Sequence, residues 1–489
     1  MTLLIKLLLF IAAASAQTVT PLPPSPPPGI QEPAPSASTG SSAAATQPET
    51  KITADQAKQL FRSVDEILQF VSQDTGLPIK HHVKRKLADR AQVENYITSR
   101  MRDDEDAKRL QRGAIVLKKF GLLPPDFDLL PFLLSLLKEQ VAGYYDSKTK
   151  TVYLLDWVEP EQQKPVLAHE LTHALQDQNF GLDRMTKEAK RNDPTGLLAD
   201  ERDAARQAVL EGQGMIVLLD YMLAPLGASV AKQPQIADTI QAGLSAAGPE
   251  MVVFNRAPQF MQQVLLFPYH FGTLFERDLL VVGGKEKAFN GALAHLPEDT
   301  RQIMHPLTYV DHQEIASVPL PNFEKLVPTY KKWDVSLMGE FDVFVLLRQF
   351  GSEEVAKNLS AQWRGGYYWA AQLPNAPKDE KSLKTGDVAL VYLSRWSGPG
   401  AAARFAGEYS AAVRKRYPDA LLLGEDKTTE AVESPGEDVT ASPSLRLTGP
   451  ASWETPEGRV IIEPRGDTVL VMESFDPQAA KAIHDAAFP

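Results

Sequence analysis

Apolar residues recur at helical spacing from Ala54 to Gln73, through Leu60, Phe61, Val64, Leu68 and Val71, and the run stops before Gly76 and Pro78. A stripe of that period is one face of a helix, and the Gly and Pro that follow mark its end. The same spacing predicts helices over 91–120, 198–223, 261–282, 338–350, 353–363, 401–417 and 478–487. Pro268, near the middle of 261–282, predicts a kink there. Residues 82–87 read as a short strand. Two runs, 143–146 and 151–155, flank a polar turn and read as a β-hairpin. Strands are also expected over 367–373, 388–396, 459–462 and 468–472. Residues 227–249 read as a helical or loose excursion, and the acidic stretch 425–444 as a loop.

This is an α+β pattern. A mostly helical region with a small sheet is expected over 51–320, and a C-terminal α+β region over 321–489. Residues 1–16 read as a secretory signal, with Lys6, an apolar run from Leu7 to Ala14, and Ala14-Ser15-Ala16 as the cleavage site. Residues 17–50 are rich in Pro, Ala and Ser and cannot bury enough apolar area to order themselves, so a disordered linker is expected. No other segment reads as long enough to span a bilayer, so the expected location is secreted or periplasmic. The formal net charge of -11 argues against a nucleic-acid partner. The chain has no Cys, so it has neither disulfides nor thiolate metal ligands.

Leu167-Ala168-His169-Glu170-Leu171-Thr172-His173 carries an H-E-x-x-H pattern. Two imidazoles four residues apart on a helix lie one turn apart on one face, where both can reach one Zn²⁺. The intervening Glu can act as general base on a water at the metal. On a helical wheel Leu167, Leu171, Ala174 and Leu175 gather on one side, and His169, Glu170, His173 and Asp177 fall within about 100° on the other. Pro165 is expected in the first turn of this helix. Asp177 is a candidate to accept a hydrogen bond from a ligand imidazole or another polar group.

A catalytic zinc usually has three protein ligands. Downstream, Asp200, Glu201, Asp203 and Glu211 are the candidates for the third. Glu211 is favoured over Glu201, because Ala204, Ala208, Gly214 and Met215 share its helical face, and small side chains there let a second helix approach the metal helix closely. For a group that stabilises an oxyanion, Tyr269, His270, His305 and Tyr309 are available, with His305 ranked first and Tyr269 second.

His169–Gln178, followed by Glu211-Gly212-Gln213-Gly214, resembles uncharacterised bacterial neutral zinc metallopeptidases of the gluzincin type. Other matching stretches are Gln140–Asp146, Phe267-Pro268-Tyr269 with Gly272 and Phe275, and Gln302–Pro306. The resemblance covers 65–309 firmly and the rest loosely. It implies a zincin-like core, one Zn²⁺ held by His169, His173 and Glu211, and Glu170 as base. Gly214 departs from the expected E-G-x-A pattern, a small-for-small change.

The expected protein is thus a secreted zinc metallopeptidase acting on peptide or protein substrates, with Co²⁺ or Mn²⁺ as possible substitutes for zinc. Two rivals remain open: a non-catalytic zinc-binding scaffold of the cell envelope, and a zinc amidohydrolase acting on a non-peptide amide. Residues 51–120 are open between an integral lobe and a removable prosegment. The strand 151–155, if it lies at a sheet edge, would pair with an extended peptide through its main chain.

Overall fold

The computed structural model describes residues 51–489 apart from 103–104, 141–142, 193–194, 245–250, 317, 426 and 431–444. The expected signal and linker, and most of the expected acidic loop, lie outside the described residues.

The first apolar stripe forms α1 (Ala54–Thr75). Thr53 and Gln56 close a capping box at its start, and Gly76 ends it with φ 76°, a left-handed conformation that costs glycine nothing. Leu60, Val64, Ile67, Leu68 and Val71 are buried as that stripe predicts. Strand β1 (Lys84–Ala88) follows. The single helix expected over 91–120 is two, α2 (Arg90–Arg102) and α3 (Glu105–Lys119). A further helix, α4 (Leu129–Gln140), was not foreseen; its near-continuous apolar run has no clear period to betray it.

The hairpin is present as β2 (Tyr144–Asp146) antiparallel to β3 (Thr151–Leu155). β3 also pairs in parallel with β1, giving a three-stranded sheet of order β1-β3-β2. β3 is therefore central, and the condition for main-chain pairing of 151–155 with a peptide, a free sheet edge, is not met. The residues that saturate its second side lie more than sixty positions upstream, beyond the reach of any local pattern. That pairing and the burial of α1 make these N-terminal elements part of the larger core.

Helices α5 (Pro160–Phe180), α6 (Leu182–Asn192), α7 (Ala199–Leu223), α8 (Gln235–Leu244) and α9 (Gln259–Lys285) come next. Among the described residues only Ala199–Leu226, which contains α7, is long and apolar enough to cross a membrane. By that measure it exceeds the sequence-based expectation. Its side chains from Ala204 to Asp220 are buried, as a core helix requires. α9 keeps helical angles through Pro268, and the break falls instead at Gly284 with φ 66° and ψ -168°.

The C-terminal part builds a seven-stranded sheet. Its strands are β4 (Lys331–Leu337), β5 (Trp363–Gln372), β6 (Val388–Trp396), β7 (Leu421–Leu423), β10 (Ala451–Thr455), β11 (Gly458–Arg465) and β12 (Thr468–Glu473). Their order is β4-β5-β6-β12-β11-β10-β7, and all pairs are antiparallel. A small separate ribbon pairs β8 (Thr428–Glu430) with β9 (Leu445–Leu447). Along β6, Val388, Leu390 and Tyr392 enter one core while Ala389, Val391 and Leu393 enter another. Both faces are covered, which is why these strands read as apolar runs rather than as alternating ones. Helices α10 (Glu340–Phe350), α11 (Glu353–Ser360), α12 (Pro399–Arg416) and α13 (Pro477–Ala487) complete the region. The larger core is continuous from Leu60 through Leu293 to Val471, so it spans residue 320 without interruption.

Candidate metal centre

The H-E-x-x-H segment lies in α5. Pro160 occupies its first position, and the Gln163 amide clasps the preceding strand end through Leu155 N (2.9 Å), Leu155 O (2.9 Å) and Val158 O (2.6 Å). Pro165 is thus inside the helix, not in its first turn, because the helix starts five residues before it, at Pro160. From Val166 to Asp177 every residue of α5 is buried. The wheel separates apolar from polar correctly, but the polar face meets another helix and not solvent.

That helix is α7. His169 Nε2 lies 3.1 Å from Glu211 Oε2 and 3.1 Å from His173 Nε2, and His173 Nε2 lies 3.6 Å from Glu211 Oε2. Ligands held tetrahedrally about 2.0–2.2 Å from zinc are separated by roughly 3.3–3.6 Å, so the three atoms stand close to three vertices of such a polyhedron, with two of the separations slightly short at 3.1 Å. Glu211 Oε1 is buried without a hydrogen-bond partner, an orphan acceptor that a cation would satisfy. These three residues form a buried group able to hold a metal ion, and no other group of this kind occurs among the described residues.

The electrostatics point the same way. Burial pushes the His173 imidazole down, but the charge and hydrogen bonding of Glu211, with Glu170 behind it, outweigh that and raise it to about 9. Burial lifts the Glu211 carboxyl, and the two imidazoles override it and bring it to about 2. Burial lowers His169. His173 and Glu211 thus form a buried ion pair on protons alone, and a metal ion bound at Nε2 would take the place of the His173 proton.

Glu170 stands beside this group. Its Oε2 accepts from Tyr145 N at 2.8 Å, which fixes the carboxylate against β2. Burial, with some help from Glu211, raises its pKa to about 8 against the lowering by His173 and the Tyr145 N–H. Asp177 does not touch a ligand imidazole. It accepts from Tyr145 Oη (2.8 Å) and Lys150 Nζ (2.6 Å), and so straps the hairpin to α5 and keeps the Tyr145 N–H in place.

Tyr269 on α9 is buried with its ring centroid 6.5 Å from that of His169. His305 is elsewhere: its Nε2 bonds Glu340 Oε1 at 2.6 Å, beside the Arg301–Glu340 ion pair. Glu201, the less favoured candidate for third ligand, is in that same neighbourhood and accepts from Thr300 N (2.9 Å) and Thr300 Oγ1 (2.7 Å). Ten residues before Glu211 on α7, it is about 15 Å away along the axis. The structure thus gathers His169, Glu170, His173, Glu211 and Tyr269 and leaves His305 out. Tyr309 and His270 are also engaged away from the ligands, Tyr309 through a hydrogen bond from its hydroxyl to His295 O (2.7 Å) and His270 through packing on Phe271.

Comparison of the chain with protein-family models, with curated proteins and with solved structures finds no match.

Two residues of the centre, Gln176 and Gln213, were not foreseen, and Gly214 of the expected small-residue seam has a sharper role than expected. Gln176 Oε1 lies 2.8 Å from His173 Nδ1, and Gln213 lies behind Gln176 at 2.9 Å. Gly214 sits against His169: a Cβ there would come within 2.6 Å of Cε1 and 2.7 Å of Nδ1. For the two glutamines the only available signal was spacing, three residues past His173 and two past Glu211. The small-residue seam was misassigned in part. Gly212 and Ala208 admit Gly272 of α9, where an added Cβ on Gly212 would meet Gly272 O at 2.3 Å, while Gly214 faces His169 of the metal helix.

Proposed function

We propose that the protein is a zinc metallopeptidase with a zincin-like catalytic region, acting on peptide or protein substrates outside the cytoplasm. The observation that carries this reading is the set of three donor atoms at 3.1, 3.1 and 3.6 Å, with the Glu170 carboxylate held next to them. The motif resemblance to gluzincin-type peptidases supports it.

A His₂Glu set without thiolates suits zinc, and three protein donors leave a fourth position for water or substrate. When bound, the zinc supplies a Lewis acid and makes a water nucleophilic at neutral pH. Glu170 accepts the proton of the attacking water and returns it to the leaving amine. The Tyr145 N–H holds Glu170 in the orientation this transfer needs. Tyr269, packed beside a ligand, is the better placed of the two ranked candidates to stabilise an oxyanion.

One observation favours a second reading. His169, Glu170, His173 and Glu211 are each no more than 2% exposed, as in a closed metal centre that ties α5 to α7 without turnover. On the peptidase reading the cover over these residues must lift for substrate to enter.

Metal analysis and peptide cleavage separate the two. Purified protein should carry about one zinc per chain, and His169→Ala or His173→Ala should lose it. Glu170→Gln should keep the zinc while cleavage of a mixed peptide library falls by roughly 10² or more. Zinc without cleavage in the wild type would favour the closed centre, cleavage confined to non-peptide amides would favour an amidohydrolase, and absence of zinc would overturn all of these.

A further inference from the structure

We propose that Gln176 and Gln213 are positioning residues that lock His173 with its proton on Nδ1 and its Nε2 lone pair turned to the metal. The proposal rests on the reading of His169, His173 and Glu211 as metal ligands and goes beyond it.

The orientation of the whole chain of groups follows from two main-chain carbonyls. Ala288 and Phe289 lie in a π-helical turn, Glu286–Gly291, just past α9. Their oxygens can only accept. Gln213 Nε2 lies 2.9 Å from Ala288 O and 3.2 Å from Phe289 O, with the buried Glu276 carboxyl also within hydrogen-bonding reach of the amide, so the Gln213 NH₂ is turned towards these two carbonyls. Gln213 Oε1 must then face the other way, and it accepts from Gln176 Nε2 at 2.9 Å. The second N–H of Gln176 goes to Leu210 O at 3.2 Å. Gln176 Oε1 is left facing His173 Nδ1 at 2.8 Å, and an amide oxygen cannot donate. The proton of a neutral His173 therefore sits on Nδ1, and Nε2 is free to ligate.

Both amides are fully buried, so water does not compete for either partner. Flipping Gln213 would set its oxygen against two carbonyl oxygens, and flipping Gln176 would set its oxygen against Gln213 Oε1 and Leu210 O. Without the relay a neutral imidazole populates both tautomers, and the one protonated on Nε2 cannot bind metal. A single turn of α7 thus provides the ligand Glu211, the relay amide Gln213 and the clearance at Gly214. The π-helical turn, a local departure often found at functional sites, aims the two carbonyls that orient the rest.

The test uses the full chain with Gln176→Met, Gln213→Met and both together, changes that keep length and remove the amide. Zinc affinity is read by competition with a chromophoric chelator, and the His173 Nδ1 proton by NMR of histidine-labelled, zinc-loaded protein. Each single variant should bind zinc roughly 10–100-fold more weakly. Because Gln213 acts through Gln176, the double variant should be no weaker than Gln176→Met alone. In Gln213→Met, which leaves the direct partner of His173 in place, the Nδ1 proton should lose its protection from exchange. Wild-type protein that binds zinc while both single variants bind it equally well would overturn the relay and leave the metal centre standing. Losses that add in the double variant would also overturn it, as independent packing defects, and so would an Nδ1 proton as protected in Gln213→Met as in the wild type. Wild-type protein that takes no zinc would sink the metal centre first and the relay with it.

Discussion

Gly214 shows what one side chain decides. A gluzincin-like pattern expects Ala there, and by volume the exchange is minor. In this fold the missing methyl is what lets the His169 ring lie flat against α7, since an added Cβ would meet three of its atoms at 2.6–3.0 Å. Gly214→Ala should push the imidazole off its position and weaken zinc binding by on the order of ten-fold or more. Chelator competition measures this, and an unchanged affinity would mean that the ring has room to retreat. The same scale explains why Tyr269, and not His305, lies beside the candidate ligands. His305 resides before Pro306 in a loop-like context that suits a cleft, yet its imidazole is consumed by Glu340. A fully buried carboxylate is a stronger claim on a nearby imidazole than a cleft that sequence only suggests.

At the scale of elements, the helices that build the site are also tied together at their far ends by a pair of acids. Asp74 at the end of α1 and Asp220 near the end of α7 are neighbours, with Lys285 at the end of α9 bonded to Asp74 Oδ1 at 2.7 Å. Burial raises Asp220 to about 7, and the Asp74 charge adds to that, while the Val230 N–H bonded to its Oδ1 at 2.6 Å pulls the other way. A carboxyl whose folded pKa is raised stabilises the fold fully below its unfolded pKa, near 3.9. That contribution is lost as pH rises through the folded value, here between about 4 and 7. Asp220→Asn mimics the protonated form: its oxygen can still accept from Val230, and its amide can donate to Asp74. The variant should melt higher than wild type at pH 7–8 and converge with it near pH 4. Thermal melts across that range check it, and a constant offset at all pH values would show that Asp220 does not titrate in this window.

The whole molecule is held by contacts that cross residue 320. Lys119 Nζ on α3 reaches Glu457 Oε2 and Ser474 Oγ, each at 2.9 Å. Arg416 on α12 pairs with Glu473 on β12 at 2.7 Å, and also donates to Lys119 O. Glu473 is completely buried and also accepts from Tyr409 Oη at 2.7 Å. Removing its cation by Arg416→Met leaves a carboxylate stranded in the core, and should cost about 3–5 kcal/mol. Denaturant unfolding measures this, and a loss under 1 kcal/mol would mean that Glu473 takes up a proton cheaply. With the larger core running from Leu60 to Val471 and the smaller one sharing its sheet, the wild-type chain should unfold in a single cooperative transition rather than in two.

Much of this protein is legible in the order of its residues. The stripe of α1, the hairpin, the boundaries of β6 and the pairing of His169 with His173 are local facts, set by periods of 3.6 and 2 and by Gly and Pro at element ends. Glu211 was within reach because its neighbours on the helix are small. Tertiary structure alone decided the rest. β1 and β3 pair across more than sixty residues, so no local pattern could show that β3 lacks a free edge. His305 and Glu201 were removed from the site by partners on α10 and in the segment Thr300–Met304. The orientation of His173 is settled by carbonyls at Ala288 and Phe289, and a backbone acceptor leaves no mark in the sequence. Periodicity records which face of an element is buried. It does not record against what, and the chemistry of this centre depends on that second fact.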